Sequence, residues 1–113
     1  MKSNINDLTI TVYEKIGNKL ALAEASNITD VYEGKINKSK IYYFNRINVP
    51  EEFRGNGIGS KLLDELLNIV QQNDVSLMCE INPYSNLSFS ELHKWYIEHG
   101  FEQRDEGCLW FNI

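Results

Sequence analysis

Residues 50–74 read PEEFRGNGIGSKLLDELLNIVQQND, and their reading decides the fold. From Ile58 the apolar positions Leu62, Leu63, Leu66, Leu67, Ile69 and Val70 recur with a helical period. That stripe predicts an amphipathic helix of about four turns. Three glycines at alternate positions, Gly55, Gly57 and Gly59, stand at its start. Upstream, IYYFNRINV (41–49) is aromatic and β-branched and stops at Pro50, as a strand does. Downstream, VSLMCEI (75–81) is short and largely apolar. It reads as a second strand after the helix, as in a βαβ unit.

Working outward, LTITVY (8–13) and KLALAEA (19–25) alternate in polarity on either side of Gly17-Asn18 and predict a hairpin. Residues 26–39 are polar, with Asn27, Asp30, Gly34 and Asn37 as loop punctuation. Pro83-Tyr84-Ser85-Asn86 ends the strand at 75–81. Ser88 and Glu91 then fit a capping box, in which each side chain bonds the other's backbone amide. The helix it opens runs to His99 and stops at Gly100, a natural terminator. FEQRD and CLWFNI, joined through Glu106-Gly107, predict a last hairpin. The order is β-β-β-α-β-α-β-β: an α+β fold, a mostly antiparallel sheet of about six strands with two main helices.

The 113 residues amount to one domain, 1–113. At 42% apolar and 24% charged, the composition is that of a soluble globular chain. No apolar run approaches the ~20 residues of a membrane span, and the start, MKSNINDLTI, has no apolar signal core, so neither membrane insertion nor secretion is expected. A net charge of −5 with scattered Lys and Arg argues against nucleic-acid binding. It suits a cationic acceptor such as an amine. Cys79 and Cys108 form no C-x-x-C and lie in apolar segments, so both are expected as buried, reduced thiols of a cytoplasmic protein. His93 and His99 are six apart, the wrong spacing for two ligands on one helix face, and no metal site is expected.

The glycines before the helix carry chemistry. Without a Cβ, backbone amides can approach a ligand closely. The first amides of a helix are unpaired and lie at the positive end of its dipole. A strand, a glycine loop and a helix therefore form a pyrophosphate cradle. Two familiar phosphate motifs do not fit, because Ser60 stands where the P-loop and the dinucleotide fingerprint each need a later glycine.

Arg54-x-x-Gly57-x-Gly59 resembles the [QR]-x-x-G-x-[GA] motif of the GNAT superfamily, the acyl-CoA-dependent N-acetyltransferases. Trp95-Tyr96-Ile-Glu-His-Gly100-Phe101 is similar to that family's late helix, which ends in a Tyr four residues before Gly-Phe. The resemblance is good over 41–113 and loose over the first 40 residues. It implies that acetyl-CoA is the cosubstrate, its pyrophosphate held by the amides of Gly55, Asn56, Gly57, Ile58, Gly59 and Ser60, with Arg54 also among the cofactor-binding residues of that loop. The backbone of Ile47, Asn48 and Val49 would pair with the pantetheine arm, and the thioester would enter where strands 41–49 and 75–81 splay apart. Tyr96 would be the general acid for the departing thiolate. A Tyr of pKa about 10 is protonated at neutral pH and suited to that task. Tyr96 also reads as a core aromatic with its hydroxyl at a polar rim. For the base that deprotonates the amine, Glu80 leads and His93 follows.

Three departures matter. An Asn that the family often carries seven residues before the Tyr is Phe89 here, with Asn86 as its expected substitute for contacting CoA. The two N-terminal helices that wall the family's acceptor site are missing, since only Glu14 to Asn18 separates the first two predicted strands. The acceptor site should therefore be open, which suits a protein lysine better than an enclosed small molecule. In length and layout the chain is similar to a small phage-encoded branch of the family, an anti-CRISPR acetyltransferase acting on a nuclease lysine. The alternatives are a small-molecule amine acetyltransferase and a non-catalytic CoA-binding module. A homodimer is compatible with each.

Overall fold

The computed structural model describes residues 1–31, 40–81, 88–105 and 108–113. Seven strands form one sheet in the order β1-β2-β3-β4-β5-β7-β6. They are β1 (Lys2–Ile5), β2 (Thr9–Ile16), β3 (Lys19–Asn27), β4 (Ile41–Asn48), β5 (Ser76–Glu80), β6 (Glu102–Asp105) and β7 (Cys108–Phe111). Helix α1 (Ile58–Gln72) joins β4 to β5, and α2 (Phe89–Glu98) follows β5 in the chain. Every strand pairing is antiparallel except β4 with β5, the pair that α1 connects. A parallel pair needs such a crossover, because a tight turn reverses direction.

The α+β class, both helices and the mixed sheet stand as the sequence predicts. The strand count does not: β1 is a seventh strand. Its residues, Lys-Ser-Asn-Ile, are exposed but for a half-buried Ile5, and it pairs only with β2. An edge strand of this kind has no apolar alternation to detect. It also moves the shortened connection. The first two strands are joined by residues 6–8, too few for any helix, whereas 17–18 is the turn of the β2–β3 hairpin, with Gly17 at φ 63°.

The main core lies on one sheet face. Ile10, Val12, Ala21, Ala23, Tyr42, Phe44, Leu77 and Cys79 meet the α1 stripe and Tyr96 of α2 there. The three alanines of β3 leave room for α1 to lie close. The opposite face carries a smaller cluster, Ile41, Met78 and Trp110, to which neither helix contributes.

Candidate active site

The turn before α1 is built by its own side chains. Arg54 Nε donates to the Val49 carbonyl at 2.9 Å, and Asn56 Nδ2 donates to the Phe53 carbonyl at 3.3 Å. Gly55 and Gly57 have φ of 84° and 77°, a left-handed backbone that only glycine adopts freely. A Cβ at either would meet nothing within 4 Å, so the space outside both is open. Gly59 instead backs onto Ile47 and Val49, whose side chains would lie 3.8 Å from an added Cβ. Gly57 is the N-cap of α1 and has no side chain to bond the first turn. The first helical bond is Lys61 N–H to Gly57 O, at 3.1 Å. The amides of Ile58, Gly59 and Ser60 are thus left for an outside acceptor. No acidic residue stands in that turn to compete with an anion.

Beside this turn the sheet opens. The β4–β5 ladder holds Ile41↔Ser76, Tyr42↔Leu77 and Tyr43↔Met78 and then ends. Beyond it β4 stays with β3 through Ala23↔Ile47 and Leu22↔Asn48, while β5 stays with β7 through Cys79↔Leu109 and Glu80↔Cys108. A bulge at Asn45 helps turn β4 away, since a bulged strand bends. Among the described residues, the backbone of Phe44 to Asn48 has no strand on its β5 side. The predicted splay is therefore present, with Ile47 and Asn48 along it and Val49 just past the end of β4.

Side chains reach the gap from both faces. Tyr96, 8% exposed, packs edge-on against Phe44 and Phe101, with ring centroids 6.2 and 5.3 Å away. Its hydroxyl is hydrogen-bonded to the Cys79 thiol. Burial pushes that thiol up to about 12, only partly offset by the Tyr96 bond. Cys79 is therefore neutral at physiological pH and no thiolate nucleophile. Glu80 is exposed at the end of β5, and by strand alternation it shares with Met78 the face to which neither α1 nor α2 contributes. Tyr43, the last β4 residue in the ladder, hydrogen-bonds the Glu80 carboxylate, and its phenol is held above its usual range by burial first and by Glu80 second. Tyr96 and Glu80 thus flank the gap from opposite sides of the sheet. His93 is not brought there: its Nε2 lies 2.8 Å from Gln103 Oε1 of β6, and its ring stacks on Phe89. Asn86 lies outside the described residues. Cys79 is buried as expected, but Cys108, the first residue of β7, is only half-buried.

A family model for the GNAT acetyltransferase domain matches residues 6–103. The chain belongs to the GNAT acetyltransferases. The match reaches further toward the N-terminus than the motifs alone do, taking in β2 and β3. Solved structures show the same GNAT fold at low identity. The anti-CRISPR protein AcrVA5 is 14% identical with a TM-score of 0.61, the alignment covering 89% of this chain and 97% of that one. The ribosomal-protein-S18-alanine N-acetyltransferase of Escherichia coli is 15% identical with a TM-score of 0.70, covering 96% and 72%. An aminoglycoside 6'-N-acetyltransferase complexed with coenzyme A is 13% identical with a TM-score of 0.63, covering 93% and 72%. Among curated protein sequences there is no match.

Sequence reasoning missed Tyr43, the thiol beside Tyr96, and two bonds between the helices: Trp95 Nε1 to Ser60 Oγ and His99 Nδ1 to Asp64 Oδ1. The i, i+4 spacing of 60 with 64 and of 95 with 99 was the available signal for the last two.

Proposed function

We propose that this protein transfers an acetyl group from acetyl-CoA to a primary amine, most simply a lysine side chain of a protein. The observation that carries the reading is the junction of an uncapped glycine turn with a mid-sheet gap that Tyr96 and Glu80 flank. The open amides of Ile58, Gly59 and Ser60, with the Gly55–Gly57 backbone, would take the pyrophosphate. The backbone of Ile47 to Val49, with the Val49 carbonyl also holding Arg54, would pair with the amides of the pantetheine arm, and Asn86 would add a contact. Glu80 would accept a proton from the incoming ammonium, directly or through water. As the C–N bond forms and the C–S bond breaks, Tyr96 would donate its proton to the leaving sulfur.

The acceptor class rests on the sheet face that neither α1 nor α2 covers. With three residues between β1 and β2, no described helix covers Glu80's side of the gap. Such a face admits a side chain presented by a larger partner, and the acidic net charge favours a cationic one. A cytoplasmic setting would supply both the cofactor and the reducing conditions that the free thiols need. The fold likeness to AcrVA5 makes nucleases of defence systems acceptors worth trying. The test is intact-mass spectrometry after incubation with acetyl-CoA, run on a panel of ribosomal proteins, CRISPR nuclease effectors and an aminoglycoside. A gain of one acetyl group on a protein supports the reading. Acetylation of the aminoglycoside alone moves the acceptor to small molecules.

A further inference from the structure

Helices α1 and α2 meet along two cross-links one turn apart on both. The Trp95 indole N–H donates to Ser60 Oγ at 3.3 Å. Four residues on along each helix, His99 Nδ1 lies 2.7 Å from Asp64 Oδ1. Residues i and i+4 share a helix face, so the 60/64 face of α1 meets the 95/99 face of α2 in register. The Trp95 ring also lies 5.0 Å from the His99 ring and 5.1 Å from the Tyr96 ring.

The two cross-links differ in where they act. Asp64–His99 lies a full turn inside α1. Ser60–Trp95 lies at the third helical position after the Gly57 cap, within the uncapped turn itself. Side chains on a helix lean toward its N-terminus, which carries the Ser60 hydroxyl toward the open amides. An indole N–H can only donate, whereas a serine hydroxyl has one proton to give and two lone pairs to accept with. Trp95 therefore occupies a lone pair of Ser60 and leaves the hydroxyl proton for something else. The neighbouring amides cannot take it, because they too are donors. A helical serine can otherwise turn its proton back to the carbonyls three and four residues before it, here Gly57 and Asn56. An anionic oxygen lying over the turn is the stronger acceptor and draws the proton outward.

We infer that Trp95 is a positioning residue: its indole N–H fixes the Ser60 hydroxyl so that the serine proton is donated to a phosphoryl oxygen held in the 55–60 turn. The same indole ties that turn to the helix that carries Tyr96. The inference rests on the reading of the turn as the CoA pyrophosphate site and adds a residue that does not touch the cofactor.

The test is a double-mutant cycle read as Kd for CoA by calorimetry, with Trp95→Phe, Ser60→Ala and the pair. Trp95→Phe keeps the ring and removes the donor. Ser60→Ala should weaken CoA about ten- to a hundredfold, the worth of a hydrogen bond to a charged group, and Trp95→Phe about three- to tenfold, the worth of a neutral one. The pair should be no weaker than Ser60→Ala alone, since Trp95 acts through Ser60. His99→Gln breaks the other cross-link and should leave Kd within about twofold, because its partner Asp64 lies a full turn away from the open amides. Wild-type affinity in Trp95→Phe, losses that multiply in the pair, or an equal loss in His99→Gln overturns the proposal and leaves the turn reading intact. Failure of the unmutated protein to bind CoA overturns both. Should Trp95→Phe not fold, the indole N–H resonances carry the test. Saturating CoA should shift one of the two in the unmutated protein and neither in Ser60→Ala, and the absence of a shift in the former overturns the proposal.

Discussion

Helix α2 begins at Ser88, whose hydroxyl accepts from the Glu91 amide at 3.2 Å while the Glu91 carboxylate accepts from the Ser88 amide at 3.2 Å. Helix α1, the longer of the two, begins at Gly57 in a left-handed conformation with no side-chain cap at all. The chain thus closes the exposed amides at one helix start and leaves them open at the other. The difference separates two tasks. The capped start gives α2 a fixed end from which to hold Tyr96 against Phe44 and the Cys79 thiol. The uncapped start costs α1 a capping interaction and leaves donors aimed at open space, an arrangement that helps only when an anion fills it.

That division can be broken at four points. The largest effect belongs to the side chain that α2 positions. Tyr96→Phe should lower kcat by about 10²–10⁴-fold, the usual worth of a general acid, with CoA affinity and melting temperature little changed. Steady-state kinetics on a verified acceptor decide it. Parent-like turnover would make Tyr96 a core aromatic and nothing more.

The next is at the uncapped start. Gly57→Glu places a side chain on a left-handed backbone and a carboxylate where an anion should sit. Charges a few ångströms apart near a protein surface repel by several kcal/mol, so CoA affinity should fall by about a hundredfold or more. Calorimetry that finds an unchanged Kd removes the turn from the cofactor site. The third is linkage. CoA at a hundredfold excess over its Kd should stabilise the fold by about 2.7 kcal/mol, and thermal melts of Gly57→Glu should show no such gain.

The smallest is at the capped start. Ser88→Ala should cost about 1 kcal/mol, or about 4 °C in Tm, and leave the CoA Kd untouched. A loss of affinity there would erase the contrast between the two starts.

The same contrast explains what could be read from the residues in advance. Both helix starts were legible because their rules are local: Ser88 and Glu91 are three apart, and the glycines alternate within five residues. The apolar stripe of α1 is legible for the same reason. Strand β1 was not, because its four residues are polar and its place depends on Tyr13, Val12, Thr11 and Ile10 across the ladder. The splay followed only from family resemblance, since no residue states that a ladder stops at Tyr43↔Met78. Tyr43 beside Glu80 and Cys79 beside Tyr96 join residues at least 17 positions apart. Neither periodicity nor a motif reports pairs that sheet register and helix docking create.

The backbone of Phe44 to Asn48 has a further consequence, for handling the protein. Among the described residues it is an edge strand along its open side, with no ladder partner there, and such an edge can recruit another chain. Most edges lie at the rim of a sheet, whereas this one lies inside it, between the β3 and β7 sides. The Asn45 bulge that turns β4 away is itself one of the devices that blunt exposed edges. Whatever pairs with that edge during turnover also shields it. Cofactor-free preparations should accordingly be the ones that self-associate on concentration, and adding CoA should keep them dispersed.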